Sequence, residues 1–78
     1  MRNLLQTKVG LRIKDLRAAA GLSQERFALK IGMDRTYLAS IEVGGRNVTL
    51  QNLAKIANGF DMTLSEFFAG IPRIDPRE

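Results

Sequence analysis

Hydrophobic positions in this chain recur at intervals of three and four residues, the spacing that brings side chains to one face of an α-helix. The first segment shows this spacing at Val9, Ile13, Leu16 and Ala20, and a later segment shows it at Leu50, Leu53, Ile56 and Ala57. No stretch alternates β-branched and polar residues over the length of a strand. The pattern predicts an all-α protein.

Short polar residues and glycines predict where the helices begin and end. Asn3 with Gln6, and Thr63 with Glu66, have the spacing of a capping box. Further N-terminal caps are predicted at Ser23, Asp34 and Thr49. After a first helix that ends at Gly21, the predicted helices cover residues 24–30, 35–43, 50–58 and 64–69. Five helices with short connections predict one compact domain over residues 1–71, followed by a flexible tail at 72–78.

Composition narrows the classes of function. The chain has 78 residues and contains neither cysteine nor histidine. Disulfides and thiolate metal sites are therefore excluded, and the usual zinc ligand and the commonest general base are missing. We expect neither an enzyme nor a bound cofactor or metal. The apolar runs are too short to span a bilayer and no secretory signal is visible, so we expect a cytoplasmic protein without membrane contact.

Charge is distributed unevenly along the chain, whose net charge is +4. Residues 1–60 hold ten basic and four acidic residues, whereas residues 61–78 hold two basic and four acidic residues. A basic body suggests contact with a polyanion, and an acidic end suggests a separate role. Ordinary solubility charge explains the same distribution equally well, so composition leaves both interpretations open.

The second and third predicted helices are separated by a very short turn. Only Gly32 and Met33 lie between Ile31 and Asp34, and a glycine in a left-handed conformation there would set the two helices at a steep angle. The apolar residues that would hold the pair together are Phe27, Ile31, Met33, Leu38 and Ile41. This spacing predicts a helix-turn-helix. The alternative is a helical hairpin that serves packing alone.

The third helix favours the DNA-binding interpretation. At about 100° per residue, Leu38 and Ile41 mark the core direction. The opposite arc consists of Thr36, Ser40 and Val43, with Arg35 and Ala39 on its flanks. Small side chains let a helix sit deep in the major groove, and an arginine can donate two hydrogen bonds to a guanine edge. The arc carries no acidic residue that phosphates would repel.

The segment GLSQERFALKIGMDRTYLASIEVG, residues 21–44, resembles the Cro/C1-type (XRE-like) helix-turn-helix regulators. The resemblance covers residues 1 to about 71 and implies a lambda-repressor-like five-helix fold. Within that group the chain is most similar to the controller proteins of restriction–modification systems. The residues that carry this narrower resemblance are Asp34 to Tyr37, Ile41, Glu42, Arg46, Asn47 and Thr49.

The resemblance also implies roles for individual residues. The base-reading set is Arg35, Thr36, Tyr37 and Ser40, and the set that contacts the DNA backbone is Gln24, Arg46, Asn47 and Thr49. Arg17 and Glu42 match a structural ion pair between the first and third helices. Three of these roles have alternatives. Tyr37 would also serve to cover the core, Gln24 would also serve to support the cap at Ser23, and Arg46 would also serve as a solvated surface charge.

A single recognition helix reads about four or five base pairs, too few for a genomic site, so we expect a two-fold dimer. The apolar residues near the C-terminus exceed what a short last helix needs for its core. The predicted dimer interface consists of Phe60, Met62, Leu64, Phe67, Phe68 and Ile71. The alternative is that all six belong to the core.

Together these features predict a homodimeric transcriptional regulator that binds palindromic double-stranded operator DNA. The resemblance implies the controller of a restriction–modification system, which would act by recruiting or blocking RNA polymerase. A phage-type repressor or an antitoxin-type regulator is the alternative within this class. A protein-interaction module on the same scaffold is the alternative outside it.

Overall fold

Five helices follow one another along residues 4–75, the part of the chain that this computed structural model describes. They are α1 (Leu4–Ala19), α2 (Gln24–Ile31), α3 (Arg35–Glu42), α4 (Leu50–Gly59) and α5 (Leu64–Ala69). The described residues contain no strand, which confirms the predicted all-α class. Asn3 of the first predicted capping box and tail residues 76–78 lie outside the described residues.

Side-chain caps begin four of these helices. Ser23 Oγ accepts from the backbone N–H of residue 26, and Thr49 Oγ1 accepts from that of residue 52, each at 3.1 Å. Asp34 caps α3 in the same way, and Thr63 and Glu66 form a complete capping box at α5. Each cap satisfies a backbone N–H that the helix leaves without an internal partner. Four of the five predicted caps are therefore confirmed.

The turn between α2 and α3 depends on a left-handed glycine. Gly32 has φ 67° and ψ 37°, a conformation in which a Cβ would be strained. The next residue, Met33, donates its backbone N–H to the Ala28 carbonyl at 2.8 Å, which closes the end of α2 in the manner of a Schellman motif. The predicted left-handed conformation of Gly32 is confirmed.

The core lies between all five helices. Its buried apolar residues are Val9, Ile13, Phe27, Ala28, Leu38, Ile41, Leu53, Ile56, Ala57 and Phe67. Helix α3 packs on both α1 and α2, and α4 joins α2 to α5. Leu50, which the sequence pattern placed on the buried stripe of α4, is 73% exposed instead. It is the first residue of that helix and extends past the edge of the core.

Gly10 allows α1 to approach the end of α3 at backbone distance. A Cβ at this position would lie 2.5 Å from the Glu42 carbonyl oxygen and would also overlap the Ile41 carbonyl oxygen. Gly44 is buried in a similar way, with φ 77°, and a Cβ there would meet the Thr7 side chain at 2.9 Å. Both glycines therefore hold the C-terminal end of α3 against α1.

Candidate nucleic-acid interface

Helix α3 buries one side and exposes the other. Leu38 and Ile41 are buried in the core, whereas Arg35 and Thr36 are exposed in the first turn. Ser40 is half-buried one turn further along. The exposed side therefore presents one long cation and short polar side chains, as the sequence predicts.

The acidic residue of α3 is removed from this surface by an ion pair. Glu42 is 6% exposed, and its carboxylate accepts from Arg17 Nε at 2.8 Å and from Arg17 Nη2 at 2.9 Å. This hydrogen bonding raises the pKa of the Arg17 guanidinium above its ordinary value. Arg17 also donates to the Leu22 carbonyl at 2.9 Å. The predicted pair between Arg17 and Glu42 is thus formed, and Arg17 ties α1 and the loop before α2 to the end of α3.

Gln24 takes part in the same network. Its Nε2 atom donates to Glu42 Oε1 at 3.0 Å, so the side chain does not support the Ser23 cap as the alternative interpretation proposed. An amide nitrogen has two donor hydrogens, and one bond to Glu42 leaves the second for another acceptor. The contact positions Gln24 at the beginning of α2, between α1 and α3.

Arg46, in the loop before α4, folds back over the exposed side of α3. Its guanidinium carbon lies 5.4 Å from the centre of the Tyr37 ring, and its Nε donates to Ser40 Oγ at 3.3 Å. Ser40 Oγ in turn donates to the Tyr37 carbonyl at 2.6 Å. The structure therefore brings together three residues that were predicted to meet DNA in two separate roles.

The Tyr37 side chain crosses from α3 to α4. Its ring is half-buried against the core, which agrees with the covering role, and its hydroxyl oxygen accepts from Asn52 Nδ2 at 3.1 Å. Asn52 is absent from the predicted site. No local pattern signals it, because the two residues are 15 positions apart and meet only after α3 and α4 have packed.

Two further predicted contacts lie beside Arg46. Asn47 is exposed in the same loop, and Thr49 is exposed at the start of α4. Thr49 Oγ1 accepts the capping hydrogen bond from the backbone of residue 52, which leaves the hydroxyl hydrogen able to donate elsewhere. Arg46, Asn47 and Thr49 thus form a short polar edge next to α3.

The predicted dimer interface requires one correction. Phe67 is 0% exposed and belongs to the core, because it lies on the side of α5 that faces the other helices. Phe60 is half-buried and stacks on the Phe27 ring at 4.2 Å. Met62 and Ile71 are partly buried against the core. Of the six predicted residues, Leu64 and Phe68 are the most open, each 36% exposed.

Apolar residues outside the predicted set continue this surface. Leu5 is 50% exposed, and together with Leu50 and Phe68 it lines a groove between α1, the start of α4 and α5. Val48, Arg46 and Asn47 also line this groove. The groove is therefore adjacent to the polar edge described above. Sequence periodicity missed it because Leu50 fits the buried stripe of α4.

Two observations concern other kinds of site. Within residues 4–75, no helix is both long and apolar enough to cross a membrane. The same part of the chain has no cluster of three or more acidic side chains arranged to hold a metal ion.

Comparisons with known proteins agree with this geometry. Residues 13–67 match the HTH_3 helix-turn-helix family. The chain is 49% identical over 72 residues to control protein C.MunI from a Mycoplasma species, an alignment that covers 91% of this chain and 97% of C.MunI. The crystal structure of the restriction–modification controller protein C.AhdI from Aeromonas hydrophila superposes with a TM-score of 0.80 at 42% identity, covering 85% of this chain and 100% of C.AhdI.

A second solved structure includes nucleic acid. The restriction–modification controller protein C.Esp1396I, crystallised as a tetramer with its natural 35-base-pair operator, superposes with a TM-score of 0.80 at 37% identity. The match covers 86% of this chain and 88% of that protein. The resemblance predicted from residues 21–44 is thereby confirmed. This chain belongs to the HTH_3 helix-turn-helix family, and its relatives include the controller proteins of restriction–modification systems.

Proposed function

We propose that this protein is a sequence-specific DNA-binding transcriptional regulator, the controller of a restriction–modification system. The observation that carries the proposal is the exposed side of α3, which offers Arg35 and Thr36 while its one carboxylate is buried against Arg17. A surface of this shape and charge fits the major groove. The similarity to controllers, one of them solved with its operator, supports the same conclusion.

Base recognition is assigned to the first turns of α3. Arg35 is exposed at the first helical position, where its two donor groups suit the O6 and N7 atoms of a guanine. Thr36 follows it, and its hydroxyl and methyl groups suit a base edge or a thymine methyl. Ser40 lies one turn later, beneath Arg46. Release of the 3.3 Å contact between these two residues would free both for DNA.

Backbone contacts are assigned to the residues beside α3. Arg46, Asn47 and Thr49 form an edge that a phosphate strand can follow, and the capped N-terminus of α4 adds favourable dipole charge. Gln24 is assigned the same role at the start of α2, where it donates to Glu42 at the end of α3. Contacts of this kind fix the orientation of the helix on the duplex without reading its sequence.

The working form is proposed to be a two-fold dimer with recognition helices about 34 Å apart. A second copy of this chain is the occupant that we assign to the groove of Leu5, Leu50 and Phe68. Large apolar groups grouped on an exposed surface indicate an interaction site. Arg46 and Asn47 also line the groove, so pairing there would bring the two DNA-contacting edges close to the dimer axis.

As a controller, the protein would bind upstream of its own gene and of an endonuclease gene, in the cytoplasm, and would recruit or block RNA polymerase. The neighbouring genes provide a direct check. An endonuclease or methyltransferase gene beside this one supports the controller role, whereas a phage or toxin gene supports one of the alternative regulators.

DNA binding is tested by comparing two arginines. We expect Arg35→Ala to weaken binding to a selected duplex by about 1–3 kcal/mol and to relax base preference at one position. Arg46→Ala should weaken binding to all duplexes and reduce the slope of log affinity against log salt by about 1. Lys55→Ala, an exposed cation on α4, is the control. Absence of duplex binding by the wild type at low salt would favour a protein-interaction module.

The dimer surface is tested by introducing charge. Leu50→Asp and Phe68→Asp should convert the dimer to a monomer in sedimentation equilibrium, because a desolvated carboxylate opposes apolar pairing. Leu29→Asp is the matched control, since Leu29 is 83% exposed on α2 and does not line the groove. Dimers that persist in both groove variants would refute the assignment.

A further inference from the structure

The Tyr37 hydroxyl is held by a residue of another helix. Asn52 Nδ2 donates to the hydroxyl oxygen at 3.1 Å. The backbone N–H of Asn52 is itself bonded to the Thr49 cap at 3.1 Å, so the amide projects from a capped first turn of α4. The partner that approaches the phenol is therefore carried on a firmly positioned element.

The direction of this hydrogen bond determines what the hydroxyl offers outward. A tyrosine hydroxyl has one hydrogen to donate, and its oxygen, which shares a lone pair with the ring, serves as one acceptor. Because Asn52 donates, the oxygen acts as the acceptor in this contact and its own hydrogen stays available. Tyr37 is half-buried, and its hydroxyl is thus presented as a hydrogen-bond donor rather than as an acceptor.

The remainder of the Tyr37 side chain is held from two other directions. Arg46 covers the ring face, with its guanidinium carbon 5.4 Å from the ring centre, and the ring packs against the core. The position of the ring is therefore set by packing. Rotation of the hydroxyl hydrogen is the freedom that packing leaves, and the Asn52 amide determines it.

We propose that Asn52 is a positioning residue that presents the Tyr37 hydroxyl to DNA as a hydrogen-bond donor. This inference rests on the proposed DNA-binding function. The complementary groups on DNA are acceptors, namely phosphate oxygens, the guanine O6 and N7 atoms and the thymine O4 atom. The amino groups of cytosine and adenine are donors and are not matched. Asn52 itself makes no contact with DNA in this scheme and acts through Tyr37.

A double-mutant cycle tests the coupling. The variants are Tyr37→Phe, Asn52→Ala and the pair together, and the ligand is a duplex selected from a random pool by the wild-type protein. Each single change should weaken binding by about tenfold, the usual effect of losing a hydrogen bond to a charged or well-placed acceptor. The double variant should bind no more weakly than Tyr37→Phe alone. Asn58→Ala, which removes an exposed amide at the other end of α4, is the control and should leave the affinity unchanged.

A second substitution reverses the bond. In Asn52→Asp the carboxylate can only accept, so the Tyr37 hydroxyl must donate to residue 52 and its hydrogen is withdrawn from DNA. With Tyr37 intact, this change should weaken binding more than Asn52→Ala does. In the Tyr37→Phe background, Asp and Ala at position 52 should differ in DNA affinity only through the added negative charge. That remaining difference should decrease as the salt concentration rises, because salt screens charge. Circular dichroism melting of every variant tests whether the fold is retained.

Modified duplexes identify the acceptor. Neutral methylphosphonate linkages replace single phosphates, and 7-deazaguanine removes a guanine N7 atom. If the difference in affinity between wild type and Tyr37→Phe disappears when one phosphate is replaced, the hydroxyl donates to the DNA backbone. If it disappears when one base is replaced, the hydroxyl donates to that base. Either result supports the proposal. The proposal would be overturned if Asn52→Ala reduced DNA affinity by the same factor with tyrosine and with phenylalanine at position 37. That outcome differs from failure of the DNA-binding function itself, in which the wild-type protein binds no duplex.

Discussion

Replacement of Gly10 by alanine separates local helix preference from tertiary packing. Gly10 lies inside α1, where alanine is favoured over glycine by about 1 kcal/mol in an exposed helix. Local preference alone therefore predicts that Gly10→Ala stabilises the protein. The packing of α1 against α3 predicts the opposite sign.

The expected magnitude follows from the atoms that a Cβ would meet. The Glu42 carbonyl oxygen would lie 2.5 Å away and the Glu42 carbonyl carbon 2.8 Å away. These are backbone atoms in the last turn of α3, so no side-chain rotation relieves the overlap, and the two helices must move apart. Forced overpacking of this kind costs about 1–3 kcal/mol. We expect a cost near the upper end of that range, because the obstacle is backbone, and subtracting the helix preference of alanine leaves a net loss of about 2 kcal/mol.

Urea unfolding followed by circular dichroism measures the change, with all variants at the same protein concentration because the proposed dimerisation would contribute to apparent stability. Asp15→Ala and Asp15→Gly are the controls. Asp15 is exposed on α1, and the difference between these two variants reports the local preference in the same helix. The packing argument would be refuted if Gly10→Ala were more stable than wild type by as much as Asp15→Ala is more stable than Asp15→Gly.

Three further predictions concern other contacts. Arg17→Ala should lower the free energy of unfolding by about 3 kcal/mol in chemical denaturation, since it leaves the buried Glu42 carboxylate without its cation. Arg12→Met should lower it by about 1–2 kcal/mol, because Arg12 donates at 2.9 and 3.1 Å to two carbonyls in the last turn of α5. The bonds from the Thr63 backbone and side chain lower the pKa of Glu66. Because the pKa of Glu66 is lower in the folded state, its carboxylate stabilises the fold at pH values above the ordinary glutamate pKa. This contribution is lost as the pH falls through the pKa of the folded state. Stability should therefore decline less steeply below about pH 5 in Glu66→Gln than in wild type, and an unchanged slope would contradict the assignment.

Much of the candidate site is readable from the sequence because its elements are local. The exposed side of α3 follows from helical spacing around Leu38 and Ile41. The pairing of Arg17 with Glu42 was available through the family resemblance, and the structure forms it at 2.8 Å. The contact of Asn52 with Tyr37 was not predicted, since neither spacing nor residue type indicates which side chains of two separate helices will meet.

The sequence by itself determined the helices, their caps and the turn at Gly32. Each of these depends on bonds between residues three to five positions apart, so the side chains that make them are neighbours in the chain. Only the tertiary structure decided that Gly10 is a contact point, that Phe67 is core and that Leu50 lies on an exposed groove. Those outcomes depend on which helix faces which, and periodicity along one helix identifies an apolar side without saying whether its last members reach the core or extend beyond it.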